Sequence, residues 1–146
     1  MKEITTKIEI RSNPEKVWKV LTDFRLYKFW NPFIIGITGF PIRGEKIEIE
    51  LRTAAQKTRM YHPVITKVDP PNELRWYGKA LLPLILDGEH IFMIQENEVH
   101  DTLFTQKEIF KGLGAYFGNA RMFDDIRKSF QIMNSSLKTR AENDET

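Results

Sequence analysis

The clearest periodic signal in the chain lies near its C-terminus. Over 114–141, Tyr116, Ala120, Phe123, Ile126, Phe130, Met133 and Leu137 fall on one stripe, the i, i+3, i+4, i+7 spacing of an amphipathic helix. Arg121, Asp124, Asp125, Lys128, Gln131, Ser135 and Lys138 take the opposite side. At about 1.5 Å per residue this is a rod of roughly 40 Å, enough to cross a small domain. Three polar residues, Asn119, Arg127 and Asn134, interrupt or flank the stripe. A helix that only sealed a core would have little use for them.

The rest of the chain is read in order. Residues 3–11 alternate, with Ile4, Thr6, Ile8 and Ile10 on one side, as in a half-buried strand. Asn13 as cap, Pro14 at the first helical position and Glu15 in the first turn start a short helix over 14–22. A second helical piece carrying Tyr27, Phe29 and Trp30 must end before Pro32, because the residue preceding proline avoids the helical region. Strand patterns then follow over 33–40, 46–52, 59–68, 74–79, 89–96 and 100–110, with turns between them. The stretch 59–68 keeps no single parity, and Pro63 cannot donate to a ladder, so an edge or a bulge is expected there. Pro83 punctuates the chain before the last hairpin, and Gly112 and Gly114 end the sheet.

One strand, two short helices, six strands and a long helix give the order β-α-α-β6-α. Strands that succeed one another without helical crossovers pair antiparallel. The fold class is therefore α+β: a curved antiparallel sheet of about seven strands gripping one long C-terminal helix, the helix-grip arrangement. A straight rod cannot touch a curved sheet everywhere, and the gap is a natural cavity. Residues 141–146 read as a disordered tail.

Composition narrows the functional classes. A chain of 146 residues, 41% hydrophobic and 29% charged, reads as one globular domain. A net charge of +2, with acids and bases interspersed, points away from nucleic acid. No apolar run approaches the ~20 residues of a membrane span, and no apolar leader opens the chain, so a cytoplasmic protein without membrane insertion is expected. The absence of cysteine removes disulfides and thiolate chemistry. His62, His90 and His100 lack metal-ligand spacing, so no metal is expected. Gly112-Leu113-Gly114 reads as a hinge rather than a phosphate loop, and no serine or cysteine nucleophile motif occurs. No cofactor is expected.

The order of elements carries a resemblance. Asn13-Pro14-Glu15-Lys16-Val17-Trp18, Leu21-Thr22-Asp23-Phe24, Tyr27 and Trp30-Asn31-Pro32-Phe33 resemble the opening of START-like helix-grip proteins of the SRPBCC superfamily, in particular its polyketide cyclase/dehydrase branch. Pro70-Pro71 with Leu74-Arg75-Trp76 and Gly78, Gly88-Glu89-His90-Ile91-Phe92, and 102–112 are similar to the same family, as is Phe130-Gln131-Ile132-Met133-Asn134 with Leu137-Lys138. The resemblance covers residues 4 to 140. It implies a hydrophobic cavity for a lipid-like or aromatic small molecule and does not by itself imply a reaction. Sequences of this pattern often carry histidine where this chain has Gln106, a departure that removes a titratable group from any shared acid–base mechanism.

Parity selects the candidate residues. His90, Phe92 and Ile94 share one side of their strand, and Phe104, Gln106, Glu108 and Phe110 share one side of the next. If these sides face the helix, His90, Gln106 and Glu108 are polar groups on an apolar concave wall. In the functional reading, His90 and Glu108 hydrogen-bond the polar head of a ligand whose body packs on Trp76, Phe92, Phe104 and Phe123. In the alternative, Glu108 pairs with Arg127 and His90 is a satisfied interior histidine; a buried charge needs a partner in either case. Trp30, at a helix-to-strand corner, either gates the cavity mouth or plugs the core. Tyr116 and Asn134 lie on the inner helix stripe; Asn134 must meet strand groups, water or ligand, and Arg127 either lines the cavity or snorkels outward.

The leading expectation is a protein that binds a small hydrophobic molecule in the sheet–helix cavity. A cyclase or dehydratase using His90 and Glu108 as acid and base remains open, and so does a protein-interaction module with a large exposed apolar patch. Asn134 and Glu108 are both expected to be shielded from solvent. Oligomeric state is not encoded in any pattern of this chain.

Overall fold

Alternation builds the first element, and capping builds the second. The computed structural model describes residues 2–79, 87–111 and 120–143. Strand β1 (Lys2–Ile10) buries Ile4, Thr6 and Ile10 on one face. Helix α1 (Pro14–Thr22) starts where expected, with the Lys16 N–H donating to Asn13 Oδ1 at 2.8 Å and Pro14 in the first turn. A 3-10 turn (Phe24–Leu26) leads into the one-turn helix α2 (Tyr27–Trp30). The Asn31 side chain then takes over the backbone: its Oδ1 accepts from the N–H groups of Phe33 and Ile34 at 3.0 and 2.9 Å, turning the chain from helix into strand.

The strands that follow are β2 (Ile34–Thr38), β3 (Glu48–Arg52), β4 (Thr58–Tyr61), β5 (Val64–Asp69), β6 (Glu73–Gly78), β7 (Asp87–Glu96) and β8 (Thr102–Lys111). All pairings are antiparallel, in a five-stranded sheet ordered β1-β8-β7-β6-β5 and a three-stranded sheet ordered β2-β3-β4. The stretch 59–68, expected as one strand, is two. His62-Pro63 breaks it, leaving β4 as an edge of the small sheet and β5 as an edge of the large one. Missing its N–H, Pro63 still accepts from the Ile47 N–H at 2.9 Å, and a Lys46–Val64 bridge joins the two sheets at this corner. A bulge between Ile65 and Lys67 adds curvature on the large-sheet side.

The long helix α3 (Ala120–Asn143) lies against β1, β8 and α1. It buries Phe123, Ile126, Phe130, Met133, Asn134 and Leu137, the stripe read from the sequence. Residues 141–143, expected in a disordered tail, are helical: Ala141 is fully buried, and Glu142 accepts from the Arg11 N–H at 2.8 Å and from the Lys138 ammonium. Tyr116, Asn119, the 112–114 hinge, Pro83 and residues 144–146 lie outside the described residues. No helix among the described residues is long and apolar enough to cross a membrane.

Register places side chains in rows across the inner face. One row runs Ile65, Trp76, His90, Glu108, Ile4 from β5 to β1; the next runs Val68, Leu74, Phe92, Gln106, Thr6. Both rows begin apolar on β5 and become polar at β8, and the second stays polar at Thr6 of β1. At the Asn13 cap, Asn13→Ala should cost about 1 kcal/mol of unfolding free energy, measured by urea denaturation. An unchanged midpoint would mean that α1 is held by packing of Val17 and Leu21 alone.

Candidate functional site

A buried chain of polar side chains crosses the core where the two rows meet α3. Because His90 and Glu108 are direct cross-strand partners, their side chains emerge side by side from β7 and β8. His90 Nδ1 lies 3.3 Å from Glu108 Oε1, and His90 Nε2 lies 2.9 Å from Gln106 Oε1, one row further along. Gln106 Nε2 donates to Asn134 Oδ1 at 2.7 Å and to the Phe130 carbonyl at 3.4 Å, both on α3. Asn134 Nδ2 donates to Thr6 Oγ1 at 2.9 Å, and the Thr6 hydroxyl donates to the Gln106 carbonyl at 3.0 Å. Exposure is 2% for His90, 0% for Gln106, 1% for Glu108 and 2% for Asn134, so Asn134 and Glu108 are shielded as expected.

The backbone fixes which way this chain points. A carbonyl can only accept, so the Gln106 atom beside the Phe130 carbonyl is the amide nitrogen, and Gln106 Oε1 faces His90. At the far end the Thr6 hydroxyl spends its proton on the Gln106 carbonyl and accepts from Asn134. His90 Nε2 must therefore carry a proton to meet Gln106 Oε1. Because an uncompensated charge is costly in this buried site, the pair is taken as neutral, with a single proton between Nδ1 and Glu108. Either the neutral acid donates to a neutral ring, or an imidazolium donates to a carboxylate; the pair has no net charge in both arrangements.

Burial is the dominant influence on Glu108, pushing its carboxyl above the ordinary value of 4.5; the facing His90 works against this, and Glu89 adds to it. Burial likewise pushes the Tyr61 hydroxyl far up, with the charge of Glu108 adding to the effect. The second carboxyl oxygen, Glu108 Oε2, is fully buried and has no hydrogen-bond partner. The Trp76 indole N–H is also buried; it is directed at Tyr61 without reaching hydrogen-bond geometry. Beside these groups is a cavity of about 20 Å³ lined by Phe33, Leu51, Thr53, Tyr61, His90, Glu108, Ile126 and Phe130. That is room for one water-sized group.

Aromatic rings surround the pair. His90 packs at a tilt against Phe92 and Trp76 and edge-on against Phe130, at centroid distances of 4.5, 5.4 and 5.0 Å, and Phe92 stacks on Phe104 at 6.0 Å. The structure thus brings together Trp76, His90, Phe92, Phe104, Gln106, Glu108 and Asn134. It places three other candidates elsewhere. Phe123 packs on Phe110 under the Lys2 ammonium. Trp30 rests half-buried against Tyr27 and does not line the cavity. Arg127 is exposed and donates to the Thr5 carbonyl at 3.2 Å, so it is neither the partner of Glu108 nor a lining residue. A six-atom cation stem on that side of the helix reaches water more cheaply than it reaches the core.

Sequence reasoning did not single out Tyr61, Phe33, Leu51, Thr53, Thr6 or Phe130. Thr6 had a signal: it is the polar member of the buried parity of β1, and its register partner is Gln106. Tyr61 had none, since it sits at the break of an irregular strand. Its ring lies over Gly78, where an added Cβ would come within 3.1 Å of it.

A larger hollow has a different character. An open groove of about 810 Å³ runs past Phe24, Arg25, Lys28, Ile37, Phe40, Lys46 and Glu48. Phe40 is exposed there, but none of the candidate residues lines the groove. Among the described residues no three histidines or acids are placed to hold a metal.

The profile of the family described as polyketide cyclase / dehydrase and lipid transport matches residues 1–142. The chain belongs to this family. Among solved structures, it is similar to protein MLL2253 from Mesorhizobium loti (14% identity, TM-score 0.78, 99% of this chain and 100% of that one). It is also similar to a START superfamily protein from Mycobacterium smegmatis (15% identity, TM-score 0.74, 96% and 97%). A third likeness is to the di-domain aromatase/cyclase BexL of the BE-7585A biosynthetic pathway (12% identity, TM-score 0.70, 97% of this chain and 49% of that one). At these identities the likenesses establish the START-like helix-grip fold and nothing finer. No curated protein matches the sequence. Within this polyketide cyclase / dehydrase and lipid transport family, a histidine at position 106 would add a second titratable ring; Gln106 keeps the chain to one shared proton.

The raised carboxyl of Glu108 has a measurable consequence. A folded state that holds a proton the unfolded chain releases is most favoured below pH about 4.5, and this contribution is lost as pH rises through the folded value. Glu108→Gln copies the protonated acid and suffers no such loss. Its unfolding free energy minus that of the parent should grow above pH about 4.5, by up to ~1.4 kcal/mol per pH unit. Urea titrations across that range measure it, and a difference independent of pH would mean that Glu108 is ionised and satisfied in the fold.

Proposed function

We propose that the protein binds a small hydrophobic molecule, lipid-like or aromatic, between its curved sheet and α3, with Glu108 and His90 at the polar end of the site. One observation carries this reading: Glu108, which has a buried carboxyl oxygen without a partner, lines a cavity whose other walls are mostly aromatic and aliphatic. A core built only for stability would gain by replacing such a group with hydrocarbon. The family's description, which includes lipid transport, supports the same class of ligand.

The entrance follows from the lining. Phe33, Leu51, Thr53 and Tyr61 belong to the small sheet and its approaches, while Ile126 and Phe130 belong to α3, so the space widens if these two bodies part. They are held together at the β3–β4 turn. The Ala54 N–H donates to Ser129 Oγ at 2.8 Å, and the Ala55 N–H donates to Asp125 Oδ1 at 2.7 Å. The turn and α3 act as a clasp over the site.

A second reading has its own support. His90 and Glu108 share one proton within 3.3 Å, and the carboxyl is held above its ordinary value, the arrangement a general acid–base pair of a cyclase or dehydratase uses. Binding without turnover separates the two readings.

Two results are expected. Denaturing mass spectrometry of protein purified under native conditions should release a co-purifying apolar compound; protein that is free of one and binds no apolar dye would overturn the proposal. The double variant Asp125→Ala/Ser129→Ala should exchange the neutral dye prodan roughly tenfold faster than the parent, the effect of about 1.4 kcal/mol of lost hydrogen bonding. Stopped-flow fluorescence measures this, and equal rates would place the entrance elsewhere.

A further inference from the structure

The two oxygens of Glu108 have different obligations. Oε1 is committed to His90 Nδ1 at 3.3 Å, while Oε2 is buried and unpartnered in a residue that lines the cavity of about 20 Å³. The direction of the polar chain, set by the Phe130 and Gln106 carbonyls, together with the neutrality of the buried pair, leaves one proton between Glu108 and His90. When that proton is on the acid it sits on Oε1, and Oε2 is a carbonyl oxygen. When it is on the ring, Oε2 is a carboxylate oxygen. In both arrangements Oε2 carries no proton, so it accepts and does not donate.

The partner of such an atom is a donor. A ligand carbonyl or ether would bring lone pairs against lone pairs, and a ligand carboxylate would add a buried negative charge that the neutral Glu108–His90 pair and the other lining residues do not compensate. A ligand ammonium would donate, but the Glu108–His90 pair has no net charge with which to compensate it. Space sets the last condition, because the cavity admits one water-sized group. A hydroxyl fits, with its oxygen left to accept from the Tyr61 side of the cavity.

We infer that Glu108 Oε2 is the recognition point for a neutral hydroxyl, so that the site selects hydrophobic alcohols or phenols over the corresponding ethers, hydrocarbons and carboxylic acids. This rests on the proposed ligand-binding reading and adds the chemical class of the ligand's polar end.

Three probes on one ring system test it: 1-naphthol, 1-methoxynaphthalene and 1-naphthoate, titrated calorimetrically into the full chain, with Glu108→Met as the control for their difference in size. Binding of 1-methoxynaphthalene reports on the ligand-binding reading itself, and the ratio between probes reports on the inference. The parent should favour 1-naphthol over 1-methoxynaphthalene roughly 3- to 10-fold relative to Glu108→Met, the effect of one neutral hydrogen bond. It should bind 1-naphthoate weakest. In Glu108→Gln, the amide N–H takes the place of the shared proton on Nδ1 and the amide oxygen takes the place of Oε2, so the preference should survive. A preference that persists in Glu108→Met, disappears in Glu108→Gln, or falls to 1-naphthoate overturns the inference while leaving the ligand-binding reading intact. If Glu108→Met does not fold, the Glu108→Gln arm and the rank of 1-naphthoate decide alone. Failure of all three probes to bind overturns both.

Discussion

A carboxyl group that leaves water for the middle of a protein must find either a proton or a cation. In this fold Arg127 of the long helix stays at the surface, and Glu108 is left with His90. Much of the inner face follows from that pairing. His90 can serve Glu108 only if its other nitrogen is held in place, which Gln106 does; Gln106 in turn needs Asn134, and Asn134 needs Thr6. The chain closes on backbone carbonyls, so four of its five members are satisfied on every side that the geometry allows. Glu108 is the exception, at one atom.

Continuous satisfaction also decides how the helix sits. Gln106 on β8 and Thr6 on β1 grip the same residue of α3, so the helix cannot slide by a turn without breaking the chain at Asn134. Apolar packing of Phe130, Met133 and Leu137 supplies the attraction, while the polar chain sets register, a use of buried polar groups known from helical coiled coils. Glu142 and Lys138, reaching Arg11 and the Glu9 carbonyl, fix the far end in the same way.

How much of this was legible in the sequence depended on periodicity. Strands β7 and β8 are long and regular, so parity alone placed His90, Gln106 and Glu108 on one wall, and the helical stripe placed Asn134 opposite. Tyr61 was illegible because Pro63 interrupts its strand and the chain turns from one sheet into another at that point. Alternation carries no information across such a corner. Phe130 was not singled out because periodicity gives the face of a helix but not its height along the sheet; that height is set by Asn134, whose partners are remote in sequence. Arg127 shows the opposite limit. Its position beside the stripe allowed it to turn inward, and the cost of burying a guanidinium, not its position, decided that it did not.

The choice of glutamine at 106 bears on what the site can do. An imidazole there would also be able to accept from His90 and donate to Asn134, so the hydrogen bonds alone do not require an amide. What an amide removes is a second place for a proton. With glutamine the neutral buried chain holds one shared proton, between Glu108 and His90, and the unpartnered oxygen Oε2 is an acceptor wherever that proton lies. A site of that kind presents a constant face to a ligand. It also retains a feature that an acid–base catalyst uses, a proton shared within a pair, so under the proposed reading the distinction between a binder and an enzyme rests on whether the ligand offers Oε2 a hydrogen it holds or one it can give up.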